Sequence, residues 1–153
     1  MLQIYTDGAY KSSIDQGGIG IVWMKDDKVF KKYSKGFKHT TNNKMELIAM
    51  LCAFKSIKTP MDEVEFISDS QYVLGCLTMG WKKKKNVELW NILDKEYERV
   101  KSLVKNIKFT HVRGHQDCFG NNLADELASN ASLELLESVS YTHLRAHETG
   151  AYL

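Results

Sequence analysis

Four acidic residues stand where they could meet: Asp7, Glu46, Asp69 and Asp125. Asp7 follows the alternating, strand-like run Leu2-Gln3-Ile4-Tyr5-Thr6, and Asp69 closes a second such run, Val64 to Ser68. Glu46 is the one polar residue between Met45 and Phe54, in a stretch without Gly or Pro that reads as a buried helix. Asp125 falls early in the last helical segment. In open α/β sheets, functional groups collect beyond the carboxyl ends of parallel strands. Carboxylates gathered there repel unless cations compensate, and oxygen-only ligand sets suit hard divalent ions. Each acid also has a plainer reading. Asp7-Gly8 is a turn signal, and Glu46 reads equally as an acid stabilised near a helix start.

The elements that must position these acids follow in order. Gly17 to Met24 reads as a second strand whose glycines suggest close backbone approach or a bulge. Asp26-Asp27 is a hairpin turn, and Lys28 to Phe37 a third strand, so the first three strands form an antiparallel meander. Thr40, Thr41, Asn42 and Asn43 are N-cap types before the buried helix, which is predicted to run to about Ile57 and stop at Thr59-Pro60. A short helix, Ser70 to Met79, ends at Gly80. After the run Lys82-Lys83-Lys84-Lys85 comes an amphipathic helix, Val87 to Val104, then a fifth strand, Ile107 to Val112. Arg113 to Gly120 is a polar loop, and Leu123 to about Val139 a final helix. This order predicts an α/β fold with one mixed five-stranded sheet and helices packed on it.

The chain has 153 residues, the size of one domain, with 43% hydrophobic and 26% charged residues. Its net charge of +2 excludes a bulk polycation, so any nucleic-acid affinity needs a local basic patch. Cys52, Cys76 and Cys118 make no disulfide framework and suit a reducing, cytoplasmic compartment. No signal pattern or membrane-length apolar run is read. Residues 140–153 have neither helix nor strand period and resemble translated adapter sequence, so the domain is expected to span 1–139. His143 and His147 in that tail lack further ligands.

Tyr5-Thr6-Asp7-Gly8, Thr41-Asn42-Asn43-Lys44-Met45-Glu46-Leu47, Ser68-Asp69-Ser70-Gln71-Tyr72-Val73, Asn86-Val87-Glu88-Leu89-Trp90, Val112-Arg113-Gly114-His115 and Asn121-Asn122-Leu123-Ala124-Asp125-Glu126-Leu127-Ala128 together resemble type 1 ribonuclease H. The resemblance runs from about Leu2 to Ala131 in the family's order. It implies a ribonuclease H-like sheet of order 3-2-1-4-5. It also implies an endonuclease that cuts the RNA strand of RNA–DNA hybrids with two Mg²⁺ ions, or Mn²⁺ as substitute, leaving a 5′-phosphate and a 3′-hydroxyl. The family's metal-binding acids match Asp7, Glu46, Asp69 and Asp125, and its mobile-loop histidine matches His115. Thr41, Asn42, Asn43 and Gln71, with Asn121, fall among the expected substrate contacts, against the plainer reading of caps and surface amides.

Two departures stand out. The loop after Asp7 reads Tyr10-Lys11-Ser12-Ser13-Ile14-Asp15, without the Asn that helps members of the family hold phosphate. The long basic handle of many cellular members is missing. Lys82, Lys83, Lys84 and Lys85 are the expected compact replacement, holding the DNA backbone as point charges. A zinc set of His111, His115, Asp117 and Cys118 fits by residue type but has no paired Cys-x-x-Cys. A non-catalytic hybrid-binding module would be expected to have lost an acid, and all four are present. The expected partner is an RNA–DNA hybrid, with no membrane and no obligate protein partner, so a monomer.

Overall fold

The computed structural model describes residues 1–113 and 118–137, the side chains of 135–137 excepted. Its elements are β1 (Leu2–Lys11), β2 (Gln16–Lys25), β3 (Lys28–Lys38), α1 (Asn42–Lys55), β4 (Met61–Ser68), α2 (Gln71–Thr78), α3 (Val87–Leu103), β5 (Val104–His111) and α4 (Phe119–Glu137). They build one mixed sheet of order β3-β2-β1-β4-β5. The meander is antiparallel, and β1, β4 and β5 run parallel. The β2–β3 turn at Asp26-Asp27 has φ of 52° and 62°, the left-handed pair that a tight hairpin needs.

Strand alternation assigns the two faces. Ile4, Ile19, Ile21 and Trp23 point into a cluster with Met45, Met50 and Phe54 of α1 and Trp90 and Leu93 of α3. Tyr5, Val22 and Met24 point the other way, towards Ala124 of α4. Nine of the fourteen α1 residues are buried, because sheet and α3 cover the helix from two sides. Thr41 Oγ1 caps the start of α1 by accepting from the Lys44 N–H at 3.1 Å. At the other end Arg99 donates to the carbonyls of Phe54 (2.9 Å) and Ile57 (2.6 Å), satisfying groups the helix leaves open.

Several sequence boundaries shift, each for a tertiary reason. Asp7 does not end β1. The strand continues to Lys11 because β2 pairs with it throughout, while pairing with β4 stops at Thr6↔Ser68. The α1 helix stops at Lys55, before Ile57. The β5 strand begins at Val104 and ends at His111, since Val104 pairs with Met61 directly after α3. The last helix starts at Phe119, four residues before the expected Leu123. The glycine-rich second strand is explained by close approach. A Cβ on Gly18 or Gly20 would collide with the backbone carbonyls of Ala128 and Ala124, so α4 lies directly on β2.

Candidate metal centre

The site forms where β1 outruns β4. Past Thr6 the β4 side of β1 has no ladder partner, and Asp7 sits there on a strand fixed by β2 alone. Asp69 follows the last residue of β4, and Ser68 Oγ accepts from the Ser70 N–H at 3.0 Å to turn the chain into α2. Glu46 arrives from α1. A Cβ on Gly8 would stand 2.5 Å from the Glu46 nitrogen, so only glycine lets the helix come this near. The Gly8 N–H then donates to Glu46 Oε1 at 2.6 Å. Ligand oxygens of Asp7, Glu46 and Asp69 lie within 4.8 Å of one another.

Asp125 completes the group from the opposite face of the sheet. It sits on the exposed side of α4, next to the buried Ala124, near enough to help hold the Asp7 carboxyl protonated. It stands outside the tight triplet of oxygens and reaches it through Asp7.

The electrostatics follow from burial. Asp7 and Glu46 are 3% and 6% exposed. Burial first, then the charges of Glu46 and Asp69, holds the Asp7 carboxyl far above the ordinary carboxylate range. Glu46 is also pushed up, by burial and by Asp69, against the bond from Gly8 that favours its charged form. Without cations the cluster keeps protons that carboxylates normally lose by neutral pH. Its donors are all carboxylate oxygens, the ligand class of Mg²⁺ and Mn²⁺, and two added positive charges would remove the repulsion. The residues fit a divalent-cation site.

The other expected site residues are placed as follows. Thr41, Asn42 and Asn43 are exposed at the start of α1, with the Thr41 hydroxyl engaged as cap. Gln71 is exposed in the first turn of α2. Lys82, Lys84 and Lys85 are exposed, but Lys83 is tied to both carboxylate oxygens of Asp94 (3.1 and 2.9 Å) and lies over the Trp90 ring. Asn121 is 3% exposed, and its Oδ1 has no partner among the described residues. His115 and Asp117 lie outside the described residues, as does the tail with His143 and His147. His111, at the end of β5, approaches the Asp69 carbonyl at 3.2 Å.

Sequence reasoning missed one arrangement beside the site. The Asp15 carboxylate accepts from the Tyr10 hydroxyl at 2.8 Å and pairs with His39 Nδ1 at 2.8 Å, while the His39 N–H donates to the Asp15 carbonyl at 2.9 Å. This joins the β1–β2 turn to the connection that feeds Thr41–Asn43.

Comparison with known proteins agrees with this geometry. The RNase H family profile matches residues 1–133. The chain belongs to the RNase H family. It is 38% identical to a ribonuclease H of Actinobacillus pleuropneumoniae, over 92% of this chain and 97% of that protein. It is 37% identical to a ribonuclease HI of Vibrio parahaemolyticus, over 86% of this chain and 89% of that one. Among solved structures, RNase H1 of the halophilic archaeon Halobacterium salinarum superposes with a TM-score of 0.69 at 25% identity, covering 85% of this chain and 96% of that one. The N-terminal RNase H domain of a Mycobacterium tuberculosis protein shares the fold, with a TM-score of 0.73 at 21% identity over 90% of this chain and 96% of that one. The chain is thus a ribonuclease H-type enzyme, of the family that cuts the RNA strand of RNA–DNA hybrids and depends on divalent metal. No helix among the described residues is long and apolar enough to cross a membrane.

Proposed function

We propose that this chain cuts the RNA strand of RNA–DNA hybrids with two Mg²⁺ ions, Mn²⁺ serving as substitute, and leaves 5′-phosphate and 3′-hydroxyl ends. The observation that carries the reading is the meeting of Asp7, Glu46 and Asp69 from three elements within 4.8 Å, with Asp125 beside Asp7. When bound, paired divalent ions lower the pKa of an attacking water and stabilise the departing 3′-oxygen.

The chain's own residues supply the frame. Asp7, central among the acids, would be the ligand the ions share, and it sits on a strand held by an unbroken ladder. Glu46 has one oxygen fixed by the Gly8 N–H, which leaves the other to bind metal and accept from a ribose 2′-hydroxyl. That hydroxyl is the group that separates RNA from DNA. Asp125 lies on a helix rim open to solvent, suited to a ligand that exchanges as substrate enters. His115, between β5 and α4 in sequence, serves proton transfer or product release. Asn42, Asn43 and Gln71 flank the acids as exposed amides and contact the hybrid, joined by Thr41, Asn121 and the lysines of the α2–α3 connection. The catalytic domain spans 1–139 and works as a monomer in the cytoplasm, a compartment that the three free cysteines suit.

A labelled RNA–DNA hybrid tests the reading, with and without Mg²⁺. RNA-strand fragments ending in 3′-hydroxyl, formed only with the metal, are expected. Equal cutting of single-stranded RNA or of DNA duplex, or cutting in the presence of chelator, would refute it.

A further inference from the structure

Residues 28–44 contain six lysines, Lys28, Lys31, Lys32, Lys35, Lys38 and Lys44, and no acid. In a chain of net charge +2 this is a strong local asymmetry. Four lysines elsewhere are held in ion pairs: Lys83 with Asp94, Lys101 with Glu98, Lys105 with Asp62 and Lys108 with Glu65. Among the described residues, none of the six is in an ion pair.

Five of them lie on β3, the outer strand of the sheet, and Lys44 lies in the first turn of α1. The ladder registers fix their distance from the acids. Asp7 faces Gly20 on β2, and Gly20 faces Ser34 on β3. Two strand spacings of about 4.8 Å put β3 about 10 Å from Asp7. That offset is less than the roughly 12 Å width of a major groove, so a duplex centred on the acids overlies the strand. Alternation turns Lys35, opposite Ile19, to the α1 side and Lys32 and Lys38, opposite Val22 and Gln16, to the other, so the lysines line both flanks of the outer edge, with Lys35 and Lys38 about 10 Å apart along it at ~3.3 Å per residue. The Lys31 ammonium is 4.6 Å from the centre of the Trp23 ring, and that of Lys35 is 5.4 Å from the Phe37 ring. Ammoniums already placed over rings lose less freedom when they meet a ligand.

Lysines on an outer strand also discourage edge-to-edge aggregation. That role needs charge on the strand alone. It gives no reason for the run to continue without an acid through His39 and the amides to Lys44, beside the metal centre.

We propose that the β3 edge, continued by Lys44, is a phosphate-binding track that grips the duplex flanking the cut site, in addition to the α2–α3 lysines. It rests on the hybrid-cleaving reading for its ligand. Point charges on phosphates confer grip without sequence preference.

The test is hybrid affinity across a salt series in Ca²⁺, for the unmodified chain and for Lys32→Gln/Lys35→Gln/Lys38→Gln. Each lost phosphate contact lowers the slope of log affinity against log salt by about 0.7–0.9, so a fall of roughly 2–3 is expected. The corresponding triple Arg variant keeps the charge and is expected to keep the slope. Parallel lines for the Gln variant, or an equal loss in the Arg variant, would overturn the proposal. Light scattering that shows Gln-variant aggregation with an unchanged slope would assign the lysines to edge protection and overturn it too. Cleavage by the unmodified chain reads the function separately. Cutting with an unchanged slope removes only the track, and a fallen slope without cutting removes only the nuclease reading.

Discussion

Asp7 stands directly across the β1–β2 ladder from Gly20, and Gly20 is where the Ala124 carbonyl of α4 rests on the sheet. One missing side chain thus sets where the neighbouring Asp125 meets Asp7 on the α4 face of the sheet. Both residues point to the same side of the sheet, as opposed residues of an antiparallel pair must.

Gly20→Ala is therefore expected to damage stability and activity together. A Cβ there meets backbone atoms that cannot rotate away, and α4 must lift. Overpacking of this kind costs about 1–3 kcal/mol. In a chain of this size each kcal/mol lowers Tm by about 2–4 °C. Cleavage is expected to fall further than the melt explains, because Asp125 moves with the helix. A variant that melts lower but cuts normally would show that α4 seating does not set the Asp125 position.

Asp7→Asn is expected to abolish cleavage and to leave the metal-free protein at least as stable as before at neutral pH. It removes a buried acid whose charge burial, Glu46 and Asp69 all oppose. Mg²⁺ should raise the Tm of the unmodified chain, since a ligand at a hundred times its Kd adds about 2.7 kcal/mol. The variant's Tm should respond much less. Near-normal turnover by the variant at saturating Mg²⁺ would remove Asp7 from the centre.

The metal-free stability should fall as pH rises. Asp7 and Glu46 have folded-state pKa values above the unfolded ones, so the folded chain holds more protons from about pH 4 upward. Their contribution is complete below that pH and is lost through the raised values. Glu65 has the opposite sign. Burial pushes it up, but the hydroxyl of Thr110, the amide of Gln3 and the charge of Lys108 outweigh this and hold it below the ordinary range. Its contribution is present above about pH 4.3 and is lost on the acid side. A chelated sample is thus expected to be most stable in mildly acid solution, with Mg²⁺ lifting the alkaline side. Melts followed from pH 4 to 9 decide it, and a chelated profile that rises towards alkaline pH would contradict the placement of the carboxyls.

The acids were legible because each breaks the pattern around it. Glu46 interrupts nine apolar residues between Met45 and Phe54, and Asp69 closes an alternating, strand-like run. The extent of β1 was not legible. Asp7-Gly8 carries a turn signal that the ladder to β2 overrides, and only the partner's register shows this. The Gly18 and Gly20 spacing announced a close approach but not its occupant, which lies more than a hundred residues away. The Asp15–His39 pair gave no signal at all. Both are polar residues at chain reversals, and their meeting depends on φ of 49° and 54° in the left-handed region.

The lysine run after α2 should divide in two. Lys83 holds Asp94 and covers the buried Trp90, and the Lys83 and Asp94 side chains are partly open to solvent. Lys83→Ala is expected to cost about 0.2–1 kcal/mol and to loosen the connection, with hybrid affinity nearly unchanged. Replacing exposed Lys82, Lys84 and Lys85 with Ala should instead lower the salt slope by about 0.7–0.9 for each that meets a phosphate. Hybrid binding by titration in Ca²⁺ and thermal melts separate the two effects. A large affinity loss in Lys83→Ala without a change in Tm would place Lys83 on the substrate.

Asp15 is expected to matter for substrate capture rather than for chemistry. Its carboxylate ties Tyr10 of β1 to His39, and the chain runs from His39 through the buried Thr40 to the Thr41 cap and the exposed Asn42 and Asn43. The bond that Asp15 accepts from the His39 ring, then the one from the Tyr10 hydroxyl, holds the Asp15 carboxyl below its ordinary range. The tie therefore persists at neutral pH and weakens as the solution becomes acid enough to protonate Asp15. Removing it frees the entry to α1 without touching Asp7, Asp69 or the Gly8–Glu46 bond. Asp15→Ala should raise KM for the hybrid several-fold and leave kcat nearly unchanged, which is the sign of lost binding uniform between ground and transition states. Asp15→Asn keeps one acceptor oxygen for Tyr10 and offers an amide N–H to the neutral His39 ring, and should recover part of the KM. Asp26→Ala, in the β2–β3 turn at the far end of the strands, is the control for a general effect of losing a turn acid. If Asp15→Ala lowers kcat as much as it raises KM, or if Asp26→Ala has the same effect, the tie does not position the substrate-facing start of α1.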